Sequence, residues 1–108
     1  MYKLDIHSNK ETVDQALYQL DVAIKLAKKE KDKILELVVG YGSSGGTHKI
    51  RTAVIEKLDE YKEKKKIKGY ISGSDIDFGA KHIEFLKIAP EFYNLEKSAN
   101  KGVIYVKC

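Results

Sequence analysis

The sequence predicts an α/β domain, a four-stranded mixed sheet in the order βαβαβ, short α, β, with its helices packed on the sheet as a two-layer sandwich. Three observations carry this. Tyr2, Leu4 and Ile6 alternate with Lys3, Asp5 and His7, the period of a strand with one apolar face. Val13, Ala16, Leu17, Leu20, Ala23, Ile24 and Ala27 then recur at helical spacing over four turns. Residues 34–39, with Leu35, Leu37, Val38 and Val39, are almost continuously apolar, as expected of a central strand covered on both faces. At 108 residues the chain is one domain, 1–108, large enough to bury roughly two-thirds of its unfolded surface without a disulfide or structural metal.

Each element has its local reason. Ser8 or Asn9 is the expected N-cap of the first helix, with Glu11 in its first turn and an end near Lys31. After a glycine- and serine-rich turn over 40–46, a second helix is expected from about 47 to 64, with Ile50, Ala53, Val54, Leu58 and Tyr61 inward. Residues 67–72 form a third strand. Between 73 and 101 the pattern weakens: a short helix over 80–88 ends before Pro90, and 91–101 is irregular. Residues 102–106 close the chain as the fourth strand. Crossover helices of this length favour right-handed connections.

Twenty basic against sixteen acidic residues give a net charge of +4 and a pI near 9.0, the threshold at which nucleic acid becomes a reasonable partner. Lys62, Lys64, Lys65, Lys66 and Lys68 form one cluster. Lys25, Lys28, Lys29, Lys31 and Lys33 form another, diluted by Glu30 and Asp32. Such runs are most often solvated helix ends. No apolar run approaches the ~18 residues of a membrane span, and no secretory h-region is evident, so no membrane partner is expected. The single cysteine, Cys108, excludes an intrachain disulfide and fits a cytoplasmic protein.

The chemistry concentrates at two places. Gly40, Gly42 and Gly45 spell G-x-G-x-x-G between a strand and a helix, where glycines let backbone N–H groups approach phosphate and the helix N-terminus adds positive potential. The chain is too short for two nucleotide-binding halves, and the next strand ends in Ser72-Gly73-Ser74 with no acid for a ribose. The loop therefore suits the phosphates of a polymer, or else is a tight turn requiring positive φ. Asp5 and His7 share a strand face, where a carboxylate can orient an imidazole. Asp75, Asp77 and His82 lack the spacing of a metal cluster and read as a solvated loop; no metal site is expected and no cofactor is indicated. Cys108 has no base nearby in sequence. Tyr70, Phe85, Phe92 and Tyr93 are candidates for base stacking, although filling the core is the commoner role.

Leu4-Asp5-Ile6-His7, a helix, then Val38-Val39-Gly40-Tyr41-Gly42 running into Lys49-Ile50-Arg51, with Asn100 to Val106 as last strand, resembles the Smr (small MutS-related) domain family. The resemblance spans essentially the whole chain, residues 73–100 making a longer connection. It implies a fold similar to the C-terminal domain of a bacterial translation initiation factor. It also implies nucleic-acid binding, with endonuclease activity on DNA or RNA in some members. Asp5 and His7 match the family's L-D-x-H, and Gly40 and Gly42 the glycines of H-G-x-G. That motif's histidine falls on Val39, which cannot accept a proton; His48 is nearby in sequence. The expectation is a DNA- or RNA-binding domain whose loop Gly40, Tyr41, Gly42, Ser43, Ser44 and Gly45 meets the backbone. Lys49 and Arg51 would contact phosphates, and the run 62–68 would add attraction. If it cleaves, it hydrolyses phosphodiesters with His7 as general base or acid and Asp5 orienting it. The alternative, favoured by Val39, is a non-catalytic adaptor for a protein partner.

Overall fold

Alternation shapes the first strand of the computed structural model, which describes residues 1–6, 12–40, 45–77 and 79–108. In β1 (Tyr2–Asp5), Tyr2 and Leu4 pack toward the helices while Lys3 and Asp5 are exposed. Helix α1 (Val13–Ala27) starts later than expected, at the first residue of its apolar stripe. Thr12 caps it through a reciprocal box: Gln15 N–H donates to Thr12 Oγ1 at 3.1 Å, and Thr12 N–H donates to Gln15 Oε1 at 2.9 Å. Ser8, Asn9 and Glu11 lie outside the described residues, and Thr12 holds the cap assigned to Ser8 or Asn9. The helix stops at Ala27, where the bonding tightens to i→i−3 turns: Lys29 N–H donates to Leu26 O at 3.1 Å and Glu30 N–H to Ala27 O at 3.0 Å.

The remaining elements follow the expected order: β2 (Ile34–Val38), α2 (Gly45–Glu63), β3 (Gly69–Ser72), α3 (Ala80–Ile88) and β4 (Val103–Lys107). Short 3-10 turns occupy Gly73–Asp75 and Pro90–Asn94. The strands are ordered β1-β2-β4-β3, with β1 parallel to β2 and β4 antiparallel to both its neighbours. The fold is thus α/β with a mixed four-stranded sheet, as the sequence predicts.

Period two sends alternate residues of β2 and β4 to opposite faces. Leu35, Leu37, Val39, Ile104 and Val106 pack with Leu20, Ile24, Val54 and Leu58 of the α1–α2 layer. On the other face α3 and the turn after it add a smaller apolar layer, so the expected two-layer sandwich is corrected to helices on both faces of the sheet: Ile34, Ile71, Val103 and Tyr105 meet Phe85, Ala89 and Phe92. Each such large side chain contributes about 1.5–3 kcal/mol by leaving water. Phe92 stacks edge-on against Phe85 at 4.9 Å and lies 5.0 Å from Tyr105, so Phe85 and Phe92 fill core instead of presenting to bases. The Tyr105 hydroxyl donates to Glu36 at 2.8 Å and accepts from Ser98 N–H at 2.7 Å. Gly73 admits the closing turn: a Cβ there would stand 2.2 Å from the Asn100 carbonyl oxygen.

Candidate nucleic-acid interface

The parallel pairing of β1 and β2 sets Asp5 beside Val38, and Ile6 N–H donates to Val38 O at 3.0 Å. Both strands therefore end at one edge of the sheet, and Asp5 lies there exposed. His7, Tyr41, Gly42, Ser43 and Ser44, all expected at this edge, fall outside the described residues.

Gly40 opens the turn after β2 with φ of 77°, the positive-φ role that glycine fills without a Cβ clash. The N–H groups of Val39 and Gly40 both donate to Gly102 O, at 2.8 and 3.1 Å, which ties this turn to the lead-in of β4. Helix α2 begins at Gly45 with no acidic residue in its first turn, and His48 and Lys49 are exposed there. Its leading N–H groups and dipole make this end electropositive.

Arg51 has a structural duty that its position in sequence does not reveal. Its Nη1 donates to Lys101 O at 2.7 Å and to Gly40 O at 3.3 Å, clasping α2 to the two segments that frame the turn. Val39 is fully buried in the α1–α2 core. Asp5 is in register with Val38, which packs toward the opposite face. Position 39, where the Smr resemblance would expect a histidine, thus points into the core and away from Asp5.

The lysine run 62–68 does not reinforce this edge. Nineteen residues of α2 at about 1.5 Å each place it roughly 28 Å away. At the other end of the domain its Lys66 shares a cleft with Lys25 and Lys28, a convergence that reading the clusters separately missed. The signal was available: consecutive crossover helices between parallel strands end on the same side of a sheet.

The other candidates are engaged elsewhere. Asp77 N–H donates to His82 Nδ1 at 2.9 Å, and Lys81 pairs with Asp75 at 3.7 Å. Among the described residues no three His, Cys, Asp or Glu side chains gather to hold a metal. Burial pushes the Cys108 thiol up to about 11, which suppresses the thiolate. Tyr70 donates to Asp59 at 2.5 Å, and Tyr93 stands exposed on the opposite layer. No described helix is long and apolar enough to cross a membrane. No family model, curated protein or solved structure matches the chain.

Proposed function

We propose that this chain is a nucleic-acid-binding domain of the Smr kind, meeting the phosphate backbone of DNA or RNA at the edge where β1 and β2 end. The observation that carries the reading is the parallel β1–β2 pair: it sets the Asp5 strand end beside the Gly40 turn and the electropositive start of α2, with Lys49 exposed. The reading is one of binding first. A lone general base supplies about 10²–10⁴-fold, and the buried Val39 supplies no second imidazole. Any hydrolysis would rest on His7 and Asp5 and would be weak.

Gel-shift and cleavage assays on single- and double-stranded DNA and RNA, with and without divalent metal, test this. Lys49→Ala should weaken binding similarly for unrelated sequences, since phosphate contacts carry no base information. Unchanged affinity at low salt would remove the interface from this edge.

One observation favours the adaptor reading. Edge strand β3 borders a groove of about 560 Å³ between α2 and α3, with Ile55, Tyr70, Phe85 and Ile88 in its lining and both acids (Asp59, Asp75, Glu84) and lysines (Lys62, Lys68, Lys81) around them, where an extended peptide could add a strand. Binding to a peptide there would show a shallow salt dependence, whereas phosphate contacts give a steep one.

A further inference from the structure

The two lysine clusters meet at one end of the domain. Helices α1 and α2 each return the chain to a strand parallel to the one before, so they run side by side and finish together. Tyr61 of α2 donates its hydroxyl to Asp21 of α1 across the gap. Beside that contact lies a cleft of about 390 Å³ lined by Lys25 of α1, Lys28 at its C-cap and Lys66 just past α2, together with Ile24, Tyr61 and the Asp21 carboxylate that Tyr61 engages. Residues 25–31 hold four lysines against Glu30, and residues 62–68 hold five against Glu63. Seven net positive charges thus sit in fourteen residues of a chain whose total is +4; Lys25, Lys28 and Lys66 of these line the cleft, and Lys62 and Lys68 line the groove beside β3. Among the described residues, Lys25, Lys28, Lys62, Lys65, Lys66 and Lys68 make no ion pair.

The backbone fixes the shape of this end of α2. Helix α2 ends in a Schellman turn, with Lys66 N–H donating to Tyr61 O at 2.8 Å and Lys65 N–H to Lys62 O at 3.1 Å. The residue at its left-handed position is Lys65, φ 62°, where glycine is the relaxed choice. Lys33, φ 55°, repeats the substitution beside the other cluster. Among the described non-glycine residues only Asp77, φ 67°, shares this conformation. Lys66, next in the turn, lays its ammonium 5.0 Å from the Tyr61 ring centroid, which holds the cleft's rim in place.

We propose that the joined C-terminal ends of α1 and α2 form a second nucleic-acid site, binding the phosphate backbone in the cleft of Lys25, Lys28 and Lys66. The site is separate from the β1–β2 edge and stands without it. Lysines are point charges suited to a repeating polyanion, whereas one phosphate or carboxylate is best gripped by the arginine fork. The chain's sole arginine, Arg51, is in the clasp. A membrane surface would need apolar side chains among the cations. Of the large exposed apolar residues only Leu26 falls within the two segments.

The test is fluorescence anisotropy with a labelled oligouridylate of about 20 nucleotides, titrated across salt. Lys25→Gln/Lys28→Gln/Lys66→Gln should weaken binding and make the log–log salt slope shallower by about 2, three contacts at ~0.7 each. Lys65→Gly should weaken binding while leaving the melting temperature unchanged or raised, since it relieves the left-handed turn. A control, Lys3→Gln/Lys81→Gln/Lys87→Gln, removes as much charge from other faces and should change the slope far less. If the control matches the cleft variant, net charge alone is at work and the site is overturned. If the cleft variant binds as wild type while Lys49→Ala does not, the second site falls and the β1–β2 edge stands; the reverse pattern leaves the cleft and removes the edge. Failure of wild type to bind the oligouridylate, with binding to phosphatidylserine vesicles or to a polyglutamate peptide instead, would also overturn the proposal.

Discussion

Removing the Arg51 clasp separates a structural arginine from a phosphate-binding one. In Arg51→Ala, the carbonyls of Lys101 and Gly40 lose the guanidinium that reaches them at 2.7 and 3.3 Å. A hydrogen bond from a charged donor is worth about 1.5–3 kcal/mol. The 2.7 Å bond carries most of this, because 3.3 Å is long for an N–H···O contact. Water can replace the donor at exposed Lys101 but less readily at buried Gly40. Because water restores part of the stronger bond, the expected loss falls at or just below the lower end of that range, about 1–2 kcal/mol in a urea melt. Lys49→Ala, exposed near the start of the same helix, should stay within about 0.5 kcal/mol of wild type. Arg51→Lys should recover only part of the loss, since an ammonium lacks the planar fork. An Arg51→Ala variant that melts within about 0.5 kcal/mol of wild type would refute the clasp. A joint Lys49/Arg51 substitution would mix binding with stability, so the two positions are best varied singly.

Val39→His places an imidazole in a fully buried apolar site, combining overpacking with an unpartnered polar group; about 3 kcal/mol or more should be lost in a denaturant melt, with no gain of nuclease activity. A stable variant that cleaves RNA or DNA would show that the position can reach substrate after all. Glu91 should contribute to acid sensitivity. Its hydrogen bond with Lys107 holds the carboxyl below its ordinary 4.5 against the opposing effect of burial. A carboxylate with a lowered folded-state value stabilises the fold above its ordinary pKa and loses that contribution as pH falls. Glu91→Gln should therefore lose less stability than wild type between about pH 5 and pH 3 in parallel melts; identical slopes would remove Glu91 from the acid response.

Periodicity carried much of the fold into view. The apolar stripe from Val13 to Ala27 and the alternation around Leu4 are local consequences of 3.6- and 2-residue repeats, and they specify helix and strand without reference to the rest of the chain. The end of α3 at Ile88, just ahead of Pro90, is equally local, because proline cannot supply the next N–H. The start of α1 was less legible. Ser8, Asn9 and Thr12 are all competent caps, and only the reciprocal bonds with Gln15 identify Thr12 as the one in use.

The candidate site divides along the same line. The glycine at position 40 and its positive φ were readable, since a turn between a strand and a helix favours that residue type. The side-chain assignments were not. Arg51 looked free for phosphate because the Lys101 carbonyl it grips lies 50 residues away in sequence. The inward orientation of Val39 depends on which face of β2 the α1–α2 layer covers. Lys66 came to share a cleft with Lys25 and Lys28, more than thirty residues away in the chain, only when parallel crossovers brought both helix ends to the same side of the sheet. The sequence by itself determined the elements, because backbone periodicity and turn chemistry act over a few residues. Tertiary structure alone decided which charges are neighbours and which polar groups are already engaged, because those contacts depend on strand order and on which face of the sheet each helix covers.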